Sequence, residues 1–359
     1  MRPAILYSSG MIEGPRAARE EEIPDVVRLS NRVFYPDGRI VMERVLPTLF
    51  CTANAHNLRV VVEDGAPVAM AGMTVNTLRM EEVTVRAACF GSVCTLESHR
   101  GRGLAAALME DGIAHAVSQG ASLALVSGKR GLYSRMQCID AGLFEVVVVE
   151  RRRGRLRGPS PAIRPWAEAD IPALDALHER ETVRFVRAPG EMAVLLRARA
   201  MFCRPARTWV AEQAGRIAAY LCVSGPDDRT GQGVILSREL AGSREAVLDA
   251  AAAVLEAEGA ERLEIEVPAS DELVQLATAR GFAPVVVGRH GTLKIIDRDA
   301  FLRAIAPRLE RWPHPLPEAP EDLAALVFGL ADRPAVEGFA AGPGGPFPLS
   351  LPGYGLNYI

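Results

Sequence analysis

Residues 99–112, HRGRGLAAALMEDG, set Arg and Gly directly against an alanine- and leucine-rich stretch, and this junction holds the residue types best suited to chemistry. The first N–H groups of a helix lack internal partners and carry the positive end of its dipole, so a helix starting near Gly103 would offer a seat for an anion. Gly101 and Gly103 have no Cβ to obstruct a ligand that approaches the backbone. Arg100 and Arg102 add forked donors suited to phosphate oxygens. One anionic contact at a helix end contributes only about 0.3–1 kcal/mol, so useful affinity needs several donors at once. The pattern suits a diphosphate. It lacks the Lys-Ser/Thr pair with which a P-loop holds a magnesium-bound triphosphate, and it lacks the GxGxxG dinucleotide fingerprint.

The elements that must position this junction follow from periodicity. Ile23, Val26, Val27 and Leu29 fall at helical spacing within residues 21–34, and residues 40–50 predict a second helix. Two strand-like runs flank Asp64-Gly65, a hairpin signal, and residues 83–96 continue as a strand that delivers the chain to the junction. Ala105, Met109, Ile113 and Ala116 repeat as a helix does, and Gly120 stands where a C-cap would. A short buried strand at 122–128, a brief helix and another strand at 142–150 complete the order.

Arg100, Gly101, Arg102, Gly103, Leu104 and Ala105 match an acetyl-CoA motif of Gln or Arg, two residues, Gly, one residue, then Gly or Ala. With this element order and the Tyr-containing segment GLYSRMQCIDAGLF, residues 16–150 resemble the GCN5-related N-acetyltransferases (GNAT). The resemblance implies that the backbone of Val93, Cys94 and Thr95 pairs with pantetheine, that residues 100–105 hold the pyrophosphate, and that Ser127 lines a splayed cleft. It also implies that Tyr133 is the general acid, protonating the departing thiolate after a neutral amine attacks the thioester directly. Cys94 reads as a packing residue rather than an acyl carrier, and His99 as facing solvent or the phosphates.

The second half repeats the first in part. EADIPALDALHERE (168–181) mirrors EEEIPDVVRLSNR (20–32), and LATARGFAPVVV echoes MQCIDAGLFEVVVV. The repeat predicts a duplication, with units near 16–155 and 160–298. Gly242 lacks the flanking Arg and Gly, and no Tyr precedes ARGFAP, so the second unit reads as having lost its cofactor site. The expected fold is α/β (α+β), with two GNAT-like units of mixed sheets flanked by helices and a C-terminal extension. The domains divide as 1–155, 156–298 and 299–359. Residues 151–165, basic and rich in Pro and Gly, read as a linker or an exposed strand end. The last stretch, AGPGGPFPLSLPGYGLNYI, ends in apolar and aromatic residues that a free tail would not retain.

This tandem layout resembles the enhanced-intracellular-survival acetyltransferases, which acetylate aminoglycosides and other polyamines. The resemblance implies a Tyr acid and a base supplied by the chain's terminal carboxylate, here Ile359. The third domain of that group is sterol-carrier-like, and residues 300–359 are too few to form it whole.

Composition bounds the rest. The 359 residues carry a formal charge of −3, with 49% hydrophobic and 24% charged residues, which fits a soluble globular protein and not one dedicated to nucleic acid. The six Cys are scattered without CxxC pairs or His partners, as in reduced cytosolic proteins, and no metal is expected. No run is long and apolar enough to span a membrane, and a cytoplasmic location is expected. The function expected is acetyl transfer from acetyl-CoA to a primary amine of a small molecule, polyamine- or aminoglycoside-like, with no nucleic-acid or membrane partner and room for a homo-oligomer. The rivals are an acyl-CoA-binding regulator and a protein lysine acetyltransferase. A duplicated unit with a docked tail favours an enclosed pocket over the open groove that a protein substrate needs.

Overall fold

The computed structural model of the chain describes residues 12–151, 161–225, 233–331 and 345–359. Most of the basic linker falls outside them, as does the start of the Gly-rich tail.

In the first half the chain runs β1 (Ile12–Ala17), α1 (Ile23–Phe34), α2 (Met42–Val45), β2 (Arg59–Glu63), β3 (Ala66–Met80), β4 (Val83–Thr95), α3 (Leu104–Ser118), β5 (Leu123–Val126), α4 (Gly131–Arg135) and β6 (Leu143–Glu150). The second half runs β7 (Ala162–Pro165), α5 (Ile171–Arg180), β8 (Val183–Val186), α6 (Glu191–Ala198), β9 (Ala200–Met201), β10 (Arg204–Gln213), β11 (Arg216–Ser224), β12 (Val234–Gly242), α7 (Arg244–Glu258), β13 (Arg262–Pro268), α8 (Glu272–Ala279) and β14 (Val285–Gly288). Then follow β15 (Thr292–Ile295), α9 (Arg298–Ala304), α10 (Ala306–Leu309) and α11 (Pro320–Phe328).

The helix expected over residues 40–50 is only the four residues of α2. Pro47 explains this: the residue before a proline is pushed out of the helical region, and Leu46 has φ −127° and ψ 60°.

Two matching ion pairs open the two halves. Arg16 grips Glu22 through both terminal nitrogens at 2.8 and 2.7 Å, and the Arg19 N–H donates to the same carboxylate at 2.7 Å. Arg164 grips Asp170 at 2.6 and 2.9 Å, and the Ala167 N–H donates to it at 2.7 Å. Each carboxylate sits at the start of a helix with Pro in its first turn, α1 or α5, where negative charge complements the dipole. The six-residue spacing from Arg to carboxylate is the same in both halves.

The strands form two mixed sheets flanked by helices. The first has the order β1-β2-β3-β4-β5-β15, with β8 also on β3; the second has the order β14-β6-β13-β12-β11-β10-β7, with β9 on β10. In each sheet one parallel pair interrupts antiparallel neighbours: β4 with β5, joined through α3, and β12 with β13, joined through α7. Strands also cross between the halves, and β8 of the second half pairs with β3 in the first sheet. β6 pairs with β13 and β14 in the second sheet, and β15 pairs with β5 in the first.

The strand period of two sorts the first core. On β4, Ala88 and Phe90 pack with Leu108 and Met109 of α3, whereas Ala87 and Cys89 pack on the other face with α1, α11 and the tail. The tail is tied in by the Leu349 N–H, which donates to the Val327 carbonyl at 2.7 Å, and by burial of Leu351, Tyr354, Leu356 and Ile359.

Candidate active site

β4 and β5 pair only as far as Phe90↔Val126, and the Ser127 N–H donating to the Phe90 carbonyl at 2.9 Å is the last rung. Beyond it the strands part. β4 carries a bulge against β3 between Gly91 and Cys94, where Ser92 has φ 51°. A bulge adds a residue to one strand and bends it, a device common beside active sites. The Ser92 hydroxyl is fixed by a 2.6 Å hydrogen bond with that of Ser30 on α1.

Val93, Cys94 and Thr95 lie on the splayed stretch of β4, still pairing with β3 through Met70↔Cys94 and Ala69↔Thr95. Thr95 Oγ1 is buried and has no hydrogen-bond partner among the described residues. Burial pushes the Cys94 thiol up to about 12, which keeps it protonated and suits the packing role.

The Arg and Gly junction lies between β4 and α3. Gly101 and Gly103 have φ +77° and +78°, a region costly for any residue with a Cβ, and nothing lies within 4 Å of where a Cβ would stand. No side chain caps the start of α3, and the first backbone bond, from the Ala107 N–H to the Gly103 carbonyl at 3.1 Å, leaves the N–H groups of Leu104 and Ala105 without helical acceptors. Arg100 is exposed, and Arg102 reaches Glu63 at 3.5 Å. His99 makes a 2.5 Å hydrogen bond with Glu63, so it is anchored to the end of β2. Open space, uncapped amides, the orphaned Thr95 hydroxyl and two guanidinium groups fit a diphosphate with an extended polar arm.

Ser127 and Gly128 follow β5 on the other lip of the split. A Cβ built on Gly128 would lie 3.0 Å from the ring of Tyr133, which α4 folds back beneath it. Tyr133 is 6% exposed, and burial raises its phenol pKa above the ordinary value, so the hydroxyl keeps its proton at neutral pH.

Ile359 lies across the sheet. A Cβ on Gly91 would stand 2.2 Å from both the backbone carbonyl carbon and oxygen of Ile359, and 3.1 Å from Ser127 Oγ. Tyr133 packs with Phe90 and Met109 on the α3 face, and Ile359 packs with Cys89 and Leu125 on the opposite face. The two residues thus flank the place where β4 and β5 separate.

Sequence reasoning missed the residues that fix the second half around this place. At α7, the counterpart of α3, the Gly242 N–H donates to Glu181 Oε1 at 2.9 Å, and Arg244 holds the same carboxylate at 2.9 and 2.5 Å. The Ser243 hydroxyl caps α7 by accepting from the Ala246 N–H at 3.2 Å, and the Glu181 carboxylate sits just before it. Nothing in the spacing between Glu181 and Gly242 signals the contact.

Residues 15–138 match the family model of the acetyltransferase (GNAT) domain. Over these residues the chain is similar to GNAT acetyltransferases. It is an acyltransferase, and GNAT acetyltransferases use acetyl-CoA as co-substrate. Comparison with curated proteins gives no match. Among solved structures the fold is similar to a GCN5-related N-acetyltransferase from Anabaena variabilis (15% identity, 82% of this chain and 75% of that chain, TM-score 0.63). It is also similar to one from Kribbella flavida (17% identity, 82% and 74%, TM-score 0.59) and to Eis1 from Mycobacterium abscessus (19% identity, 81% and 75%, TM-score 0.55). At these identities the likeness is one of fold, and it extends over both units. No helix among the described residues is long and apolar enough to cross a membrane, and no group of three or more His, Cys, Asp or Glu side chains among them is placed to hold a metal.

Proposed function

We propose that this acetyltransferase moves the acetyl group of acetyl-CoA to the primary amine of a small molecule. The flanking of the β4 and β5 split by Tyr133 on one face and the Ile359 carboxyl on the other carries this reading. The backbone of Val93, Cys94 and Thr95 would hold the pantetheine arm, residues Arg100 to Ala105 the diphosphate, and Ser127 the mouth of the cleft. Acetyl-CoA supplies the thioester. With Ile359 as the last residue, its carboxylate takes a proton from the acceptor ammonium, leaving a lone pair free to attack. The C–N bond forms as the C–S bond breaks, the Tyr133 hydroxyl gives its proton to the leaving sulfur, and the extra proton on the new amide nitrogen returns the phenolate to the phenol.

The second unit and the tail cover the side opposite α3, which supports a small molecule over a protein lysine. The test is release of free CoA thiol from acetyl-CoA by the purified chain with a panel of small amines and lysine peptides. Turnover with small amines is expected. Tight acetyl-CoA binding with no release for any amine would establish an acyl-CoA sensor instead.

A further inference from the structure

Beside the Ile359 carboxyl the split opens into a cavity of about 630 Å³, with Ser127, Gly128 and Tyr358 at its inner end and the second unit forming much of the wall. Four cations line it: Lys129, Arg204, Arg238 and Arg262. Glu264 is the one carboxylate among the described lining residues. Glu264 pairs with Arg262, while the partners of two other cations, Asp140 for Lys129 and Glu266 for Arg238, do not line the cavity.

Arg238 is held rigidly. Its Nε donates to Glu266 at 3.0 Å, its Nη2 donates to His290 Nε2 at 2.6 Å, and its guanidinium lies over the Phe202 ring at 4.7 Å. Phe202 stacks on Tyr358 at 4.3 Å, so the same stack fixes the guanidinium and the residue before Ile359.

The cavity therefore presents a wall of cations, and on the reading above the amine end lies where Ser127 and Tyr358 adjoin Ile359. A polyamine would set its second ammonium among like charges in a partly desolvated site. An amine that also bears an anion would place each charge against its opposite, with the guanidinium forks matching carboxylate or phosphate oxygens. Resting on the acetyl-transfer reading above, we propose that the acceptor is a small primary amine carrying a carboxylate or phosphate, its amine at the Ile359 end and its anion against Arg204, Arg238 and Arg262.

The experiment follows thiol release by the whole chain with four amines of equal length: an amino carboxylate, an amino phosphate, an uncharged amine and a diamine. An anionic member should exceed the uncharged amine in kcat/KM by about tenfold, the worth of one charge-assisted hydrogen bond, and the two anionic members tell carboxylate from phosphate. Arg262 is exposed at the first position of β13, so Arg262→Gln should fold; it should shrink that preference, and Arg262→Glu should shift it toward the diamine, both with the KM for acetyl-CoA unchanged. Preference for the diamine, or indifference to charge, overturns the proposal while acetyl transfer stands. A raised KM for acetyl-CoA in the Arg262 variants also overturns it, by assigning the basic wall to the co-substrate. Absence of release with all four amines defeats the transfer reading itself.

Discussion

Asn357 Oδ1 accepts two hydrogen bonds from the Arg187 guanidinium, at 3.0 and 2.8 Å, two residues before Ile359. The same guanidinium holds Glu239 at 3.0 Å, and Glu239 also accepts from the Tyr220 hydroxyl at 2.8 Å and from the Leu356 N–H at 3.3 Å. Burial opposes ionisation of Glu239, yet Arg187 and His178 beside it hold its pKa below the ordinary value. A buried ionic cluster of the second unit thus fixes the end of the tail that lies on the first.

Asn357→Ala should loosen this end without disturbing the junction at residues 100–105. The loss of two hydrogen bonds from a charged donor corresponds to about 1.5–3 kcal/mol of local stability. A fall in kcat with unchanged acetyl-CoA affinity by calorimetry is expected, and full turnover would show that the tail position does not matter.

Gly91→Ala puts a methyl group where the Ile359 backbone carbonyl lies. The tail must move or the sheet must strain, at about 1–3 kcal/mol. Turnover should drop sharply, with a lowered melting temperature marking any share taken up by strain. A variant with wild-type activity would place the carboxyl outside the chemistry.

Tyr133→Phe should lower kcat and spare acetyl-CoA binding. Because burial raises the phenol pKa, the hydroxyl remains a proton donor through neutral pH, and any alkaline decline in kcat that belongs to Tyr133 should lie above 10. A decline centred near pH 8 that disappears in the Phe variant would contradict the assignment of its pKa.

The paired carboxylates at the starts of α1 and α5 set an acid limit. Arg16 lowers the pKa of Glu22, and Arg164 that of Asp170, chiefly by direct hydrogen bonds. A carboxyl with a depressed folded pKa stabilises the fold fully above its unfolded value, here 4.5 and 3.8, and loses that contribution as pH falls through the folded value. The melting temperature should stay level from neutral to mildly acid pH and fall below these values, and Glu22→Gln should flatten the fall.

Glu181→Ala removes the internal anion from the start of α7. Arg244 keeps Asp271, with which it also pairs at 2.8 Å, so the unit should fold with reduced stability. Calorimetry should give one acetyl-CoA per wild-type chain, bound at the α3 junction. Two per wild-type chain would show that Glu181 does not block the second seat.

The junction at residues 99–112 was legible because its signal is local: glycines that take left-handed backbone, uncapped amides and guanidinium groups adjoin in the chain. Tyr133 was singled out by the Tyr-containing segment that resembles the GNAT acetyltransferases, and nothing in its own surroundings marked it. The docking of Ile359 was foreshadowed by the apolar ending, but its place against Gly91 was not, since that depends on Arg187 and Glu239 from distant elements. Arg204, Arg238 and Arg262 sit at or near strand starts or in mid-strand of β10, β12 and β13, and nothing in their spacing announces a common cavity. The helix expected over 40–50 overran because Pro47 outweighed the apolar period.

The interchange of β6 and β15 makes each half a structural hostage of the other. Severed near residue 155, the leading fragment would leave β5 with a raw edge and β6 without its neighbours, and exposed edges invite aggregation. A substitution that unfolds either half therefore strips the other of a strand it needs, so the two halves stand or fall together.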